Sequence, residues 1–220
     1  MKVLNLYAGL GGNRRGWGEK HTVVGVEYDK RIAAEYQRQH PNDWVFVGDA
    51  HQYLLDSHAN FDFIWSSPPC QSHSRMIRSG QNRKPRYPDL RLYEEILFLQ
   101  TYCKDKLWVV ENVVPYYKPL IEPTAKVGRH LFWSNFEFQV QDVERPKDFI
   151  NLDNTKGAEK LKEWLGIHYE GNIYYDGNHC PAQVLRNAVH PEIGRQIFDA
   201  AQTVHYSRRC KEKNIPFMVL

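Results

Sequence analysis

Short apolar runs, separated by stretches of helical period, set the pattern of this chain. Residues 3–7, 22–26, 44–47, 61–65 and 107–110 are strand-length runs rich in β-branched, aliphatic and aromatic side chains, and read as five strands. Residues 14–19 read as a short helix. Residues 30–40 read as a longer one, with Ile32, Ala33 and Tyr36 inward and Pro41 as its stop. Over residues 90–102, Leu90, Tyr93, Ile96, Leu97 and Leu99 recur at helical spacing. Strands alternating with helices predict an α/β domain, with a parallel sheet covered by helices on both faces. Further on, residues 156–165 predict one short helix, 169–175 a strand, 176–179 a turn and 191–202 a closing helix.

In such a sheet a ligand binds outside the carboxyl ends of the strands. Those ends carry Gly9 to Gly12, Glu27, Asp49, Pro69-Cys70 and Glu111-Asn112, so the chemically suggestive residues share one edge. A glycine turn after the first strand, with an acid closing the second, is a ribose-binding arrangement. Glu27 lies 18 residues beyond Gly9, near the expected spacing. Tyr28 suits stacking on a base, and Asp49 suits an exocyclic amine of adenine. Glu27 and Asp49 equally suit capping of the helices that follow them. Cys70 reads either as a nucleophile held in one direction by Pro68 and Pro69, or as a packed thiol.

Composition narrows the class. The 220 residues suffice for one domain with its own core. The net charge of +3 does not by itself announce nucleic acid, but its distribution is uneven. Residues 71–88 hold five basic side chains and no acid, and the chain ends on Arg208, Arg209, Lys211 and Lys213. A long basic loop beside Cys70, with Gly80 as a hinge, predicts phosphate contact, against the alternative of a solvated loop. The cysteines (Cys70, Cys103, Cys180, Cys210) form no CxxC pair, which argues against zinc and for a reducing compartment. The N-terminal apolar run is too short for a signal peptide or a membrane span.

Asn5-Leu6-Tyr7-Ala8-Gly9-Leu10-Gly11-Gly12, Glu27, Gly48-Asp49, Pro68-Pro69-Cys70-Gln71, Glu111-Asn112-Val113 and Asn187-Ala188-Val189-His190-Pro191 stand in this order. The series resembles the ordered motifs of the cytosine carbon-5 DNA methyltransferases, framing residues 1–138 and 183–202. The resemblance implies a Rossmann-like fold that uses S-adenosyl-L-methionine. The methyl donor would be held by Tyr7, Ala8, Gly9, Leu10, Gly11, Gly12, Glu27, Tyr28, Asp49, Ala50, Pro69, Asn187 and Val189. It also implies a DNA duplex as partner, with the target cytosine flipped out of the stack. Cys70 would add to carbon 6 of the base, and Glu111 would hold ring nitrogen 3. Arg129 or His130 would contact the base, Arg129 being preferred for its permanent charge. This chemistry calls for a lowered thiol pKa at Cys70 and a raised one at Glu111. Gln71, Ser72, Arg75, Arg78, Arg83, Lys84 and Arg86 would meet the DNA.

The sequence departs from the family at Arg186, where glycine is usual, and at His190, where proline is usual. It also leaves only about 44 residues, 139–182, where the family places target recognition. The implied division is a catalytic domain of residues 1–138 with 183–220 and a reduced recognition segment of 139–182. That brevity predicts short or relaxed site recognition, or help from a second subunit such as a homodimer partner. The same chemistry on RNA and an inactive binding module of this fold are the rival expectations. The expected location is the cytoplasm of a bacterial or phage-infected cell.

Overall fold

The five apolar runs form strands that lie side by side in a computed structural model, which describes residues 1–78, 87–147, 149, 155–175 and 180–213. They are β1 (Lys2–Leu6), β2 (Thr22–Glu27), β3 (Trp44–Val47), β4 (Phe63–Ser66) and β5 (Leu107–Val113). β6 (Ala125–Val127) and β7 (His130–Ser134) complete a seven-stranded sheet of order β3-β2-β1-β4-β5-β7-β6. The first five strands are parallel, with Leu4 opposite Val24 on one side and Ile64 on the other. β7 runs antiparallel to β5 and β6, an arrangement that the period of the apolar runs did not foretell. The chain winds outward from β1 to β3 and then returns to β4 beside β1. The gap between β1 and β4 is therefore a topological switch point, where a ligand crevice opens.

Alternation along the strands divides the core. Leu4, Leu6 and Ile64 face one layer with Leu54, Ile96 and Trp133. Val3, Phe63 and Trp65 face the other with Trp17, Ile197 and Phe198. α1 (Lys30–Gln39) starts on the side chain of Asp29 and buries Ile32, Ala33 and Tyr36, as its spacing predicted. α2 (Ala50–Ser57) starts on the side chain of Asp49, one of the two readings its sequence allowed. α3 (Arg91–Tyr102) keeps its predicted span but is rotated. Leu92, Tyr93, Glu95, Ile96 and Leu99 are buried, while Leu90 and Leu97 are exposed.

The other differences have local causes. The helix expected over 14–19 is one 3-10 turn, Arg14–Gly16, ended where Gly18 takes φ +75° and offers its carbonyl to Arg14. β5 extends past residue 110 because β7 pairs with it through Val113. α4 (Thr155–Leu165) forms as expected, but residues 169–175 form no strand. The Lys162 ammonium draws in the carbonyls of Tyr169 and Gly171 at 2.8 and 3.1 Å, which turns this backbone away from any ladder. The turn expected at 176–179 lies outside the described residues. α5 (Gln183–Arg186) packs with α4 in a cluster that includes Leu10 and Ile32. α6 (Pro191–Glu212) runs beyond the predicted 202, since neither glycine nor proline occurs from 203 to 213.

One buried ion pair fixes the turn after β1 to α1. Arg14 donates from Nε and Nη2 to the two Asp43 oxygens, both at 2.9 Å, and Tyr36 Oη donates to the same carboxylate at 2.8 Å. Removing one partner of a buried pair strands the other charge. Asp43→Ala is therefore expected to lower the unfolding free energy by about 3–5 kcal/mol in a urea titration.

Candidate active site

The strand tips converge on one cleft of about 620 Å³. At its β1 end the backbone takes positive φ at Tyr7 (55°), Gly9 (54°) and Gly11 (74°). A Cβ on Gly12 would run into the carbonyl of Val189, so the turn lies flush against residues 188–189 only because it lacks side-chain atoms there. Gly11 faces away from the cleft, where a Cβ would come within 2.5 Å of the His40 ring. Glu27 does not cap α1. Its Oε2 accepts from Gly9 N at 2.9 Å and its Oε1 from Asp29 N at 3.0 Å. Burial raises its pKa against the pull of these amides. Asp49 does act as a cap, accepting from His51 N at 2.9 Å and Gln52 N at 3.2 Å through Oδ1. Its Oδ2 faces Arg91 at 3.9 Å. Ala8, Leu10, Ala50 and Pro69 line the same wall, and Tyr28, 79 % exposed, stands at the mouth.

At the other end stand Cys70, Glu111, Arg129 and His130. Asn112 Nδ2 donates to the Pro68 carbonyl at 2.9 Å, tying β5 to the proline pair. The amides of His73 and Ser74 close a turn on the Cys70 carbonyl, each at 3.0 Å. Burial, reinforced by Glu111, pushes the Cys70 thiol up to about 11, with Arg129 opposing. This reverses the lowered value expected from the chemistry, because desolvation outweighs the nearby cation. Burial likewise pushes Glu111 up to about 7, against a hydrogen bond to Ser67 and the charge of Arg129. His130 is held neutral, near 3, by burial and by Arg129 and Arg145, with its Nε2 3.8 Å from Glu111 Oε1. Arg129 and His130 thus both face the cleft, and only Arg129 carries charge there. The Arg129 guanidinium donates to the Arg186 carbonyl and lies 5.0 Å from the centre of the Phe149 ring.

Of the residues expected to meet DNA, Gln71 lines the cleft and Ser72 Oγ accepts from Asp89 N at 2.9 Å. Arg75 Nε donates to the Pro115 carbonyl at 3.3 Å. Arg78 ends a 3-10 turn that starts at Arg75. Arg83, Lys84, Arg86 and the hinge expected at Gly80 lie outside the described residues. Asn187 and Val189 line the cleft, and Asn187 Oδ1 accepts from Gln183 at 2.9 Å. The two departures from the family's last motif have structural work. Arg186 Nη2 reaches Cys180 Sγ at 3.0 Å, and His190 Nδ1 accepts from Glu192 N at 3.2 Å at the start of α6.

Sequence reasoning missed Asp29, Ser67, Arg91 and Tyr175 on the cleft wall, and Glu95 behind it. Asp29 had a signal, the capping pattern at the start of α1. Glu95 had none, since a carboxylate one step from the apolar stripe of α3 reads as solvent-facing. It is fully buried and accepts from Tyr7 Oη at 2.6 Å and Ser66 Oγ at 2.6 Å, with His51 Nδ1 at 3.1 Å. One side chain thus ties the ends of β1 and β4 to the start of α2, and it anchors the strained Tyr7. Glu95→Ala is expected to destabilise the fold by on the order of 3 kcal/mol, because three polar partners lose their buried acceptor. Thermal unfolding of the variant beside the wild type checks it.

A family model described as C-5 cytosine-specific DNA methylase matches residues 1–119, just over half of the chain. No curated protein matches. Among solved structures, the Entamoeba histolytica methyltransferase EhMeth is 12% identical, covering 94% of this chain and 97% of that one with a TM-score of 0.50. A Spodoptera frugiperda DNMT2 mutant is 24% identical, over 51% of this chain and 35% of that one, with a TM-score of 0.37. A putative DNA modification methyltransferase encoded within an E. coli prophage is 20% identical, over 54% and 33%, with a TM-score of 0.36. The chain spans about a third of the length of these last two. The EhMeth likeness, which runs nearly end to end, carries the Rossmann-like methyltransferase fold.

Proposed function

Because this chain belongs to the C-5 cytosine-specific DNA methylase family, we propose that it moves a methyl group from S-adenosyl-L-methionine to carbon 5 of a flipped-out cytosine in DNA, through a covalent adduct with Cys70. The observation that carries this reading is the shared cleft. Cys70, Glu111 and Arg129 face the same space as the glycine turn and Glu27.

The residues fit the donor. The cleft volume is within the range of small-molecule sites. The turn at Gly9 and Gly12 is bare of side chains, so a ligand can approach the main chain. Glu27 is held by two amides with lone pairs left for ribose hydroxyls, and Asp49 Oδ2 is not used by the cap. Tyr7, Tyr28, Ala50, Pro69, Asn187 and Val189 supply the remaining walls. When bound, S-adenosyl-L-methionine supplies an electrophilic methyl on a sulfonium.

The chain's own groups do the rest. A cytosine ring is a poor carbon nucleophile. The Cys70 proton passes to Glu111 and its sulfur bonds to carbon 6, which breaks the aromaticity and makes carbon 5 enamine-like. Glu111 holds that proton at nitrogen 3, where the displaced electron density collects. Carbon 5 then accepts the methyl, the donor leaving as a neutral thioether, and loss of the carbon-5 proton to water expels Cys70 as its thiolate. The covalent route divides one hard step into easier ones. Arg129 sets a permanent positive charge beside both groups. Residues 139–182 serve as a reduced recognition segment for a short or relaxed site, with a second subunit as the alternative reader. Gln71, Ser72, Arg75 and Arg78 approach the DNA backbone.

Among the described residues no helix is long and apolar enough to cross a membrane. The proposed place of work is the cytoplasm of a bacterial or phage-infected cell, where thiols stay reduced. Incubation with labelled S-adenosyl-L-methionine and matched mixed-sequence DNA and RNA, followed by base analysis, tests the reading. The expected product is 5-methylcytosine in DNA. Label confined to RNA, or none in either polymer, would overturn it.

A further inference from the structure

A second cavity, of about 680 Å³, opens beside the reactive cleft and shares Arg129 and Val113 with it. Its floor is apolar, built from Val113, Val114 and Phe149. Its remaining charged lining is cationic, with Arg75, Lys126 and Arg145 joining Arg129 and no carboxylate among the lining residues. Arg75 is steadied by the Pro115 carbonyl. Arg145 stands 3.6 Å from Asp142, and Glu144, its chain neighbour, lines an adjoining hollow with Gly128, Arg129 and Asp142. The Lys126 ammonium has no hydrogen-bond or ion-pair partner among the described residues, and the side chain is exposed.

The arrangement is built rather than incidental. Gly128, in the turn between β6 and β7, takes φ +55°, and a Cβ there would collide with the Arg145 guanidinium and come 2.5 Å from Asp142 Oδ2. The turn is bare so that this pair can lie across it. The charge of Arg145 in turn reaches Arg129 and His130 on the reactive side.

We infer that this second chamber is a subsite for the DNA strand on one side of the flipped cytosine, with a phosphodiester between Lys126 and Arg145 and the adjoining nucleotide against Val113, Val114 and Phe149. The inference rests on the proposed function, since an extruded base stays tied to phosphodiesters on both sides. A chamber that shares a wall with the base pocket is where one of them must run. Several cations at the rim with an apolar floor match a phosphate joined to a sugar and base, and they offer nothing to a free cation or an amine. It also gives the chain a strand contact apart from Gln71, Ser72 and Arg78.

The test measures binding of fluorescein-labelled mixed-sequence duplex DNA by anisotropy at several salt concentrations, in the presence of S-adenosylhomocysteine. The proteins are wild type, Lys126→Gln, Arg145→Gln and the double variant. Lys104→Gln, before β5 at the opposite end of the sheet, controls for loss of charge alone. Each single change is expected to reduce the slope of log affinity against log salt by about 1, and the double change to weaken low-salt binding roughly 10- to 100-fold. Lys104→Gln should leave both unchanged. Melting temperature and S-adenosylhomocysteine affinity report folding. If the double variant fails to fold, the exposed Lys126→Gln alone decides. Variants that bind DNA with wild-type affinity and slope overturn the subsite even if the wild type makes 5-methylcytosine. A wild type that makes none, while the variants lose DNA binding as expected, overturns the reaction and leaves the subsite standing. A wild type that binds no duplex DNA overturns both.

Discussion

Cys70→Ala is expected to lower methyl transfer by at least ~10⁴-fold while S-adenosyl-L-methionine affinity changes less than about threefold. The asymmetry follows from where the thiol sits. Cys70 stands beside Glu111 and Arg129, across the cleft from the glycine turn and Glu27 that would hold the donor. Removing it takes away the bond to carbon 6 and little of the donor's surroundings. Among the described residues no other cysteine lines the cleft to replace it. Loss of only a few-fold in single-turnover transfer would show that the chemistry does not pass through this sulfur. A companion expectation concerns the free protein. With its thiol pushed up to about 11, Cys70 is roughly one part in 10⁴ thiolate at pH 7. Alkylation of Cys70 by iodoacetamide should therefore be slow at neutral pH and gain about tenfold per pH unit up to roughly pH 10. A fast rate that is flat across neutral pH would contradict the protonated thiol.

Glu111→Gln is expected to lower transfer by about 10²–10⁴-fold and to change the shape of the pH profile. The proposed reaction would need Cys70 without its proton and Glu111 with one. The thiol titrates near 11 and the carboxyl near 7, so between those values the pair holds one proton in total, mostly on sulfur. The fraction with that proton on Glu111 instead is roughly 10⁻⁴ and does not change with pH across the window. Below about 7 both groups are protonated and the reactive fraction falls tenfold per unit. Wild-type kcat/KM should therefore rise with pH to about 7 and then level. The glutamine variant needs only the thiolate. Its lower rate should keep climbing above pH 7, toward a thiol pKa itself reduced by loss of the neighbouring carboxylate. A variant profile that levels near 7 like the wild type would assign that limb to another group.

These two expectations also locate the limits of the primary structure. Position along the chain was legible for Gly9 to Gly12, Glu27, Asp49, Cys70 and Glu111, because each follows an apolar run and the parallel-sheet rule gathers strand ends at one edge. The helix over 30–40 was legible down to its buried residues, since Ile32, Ala33 and Tyr36 lie on one face of a single periodic segment. The same reasoning placed Leu90 and Leu97 inward on α3, and they are exposed. A rotation of one residue separates the two faces, and only the partners across the interface choose between them. Glu95 went unnoticed for that reason, since its burial depends on Tyr7, Ser66 and His51 arriving from three other elements.

The order of residues alone determined five parallel strands alternating with helices, a glycine turn after the first strand and a cysteine and a glutamate at neighbouring strand tips. Those features are set by local periodicity and turn chemistry, which act over a few residues. Only the folded chain decided that the thiol is raised rather than lowered, that Arg129 and His130 share the cleft with Arg129 charged and His130 neutral, and that a cationic chamber adjoins it. Each of these depends on how much water is excluded and which charges remain nearby, and desolvation and Coulomb energy are sums over groups far apart in the sequence.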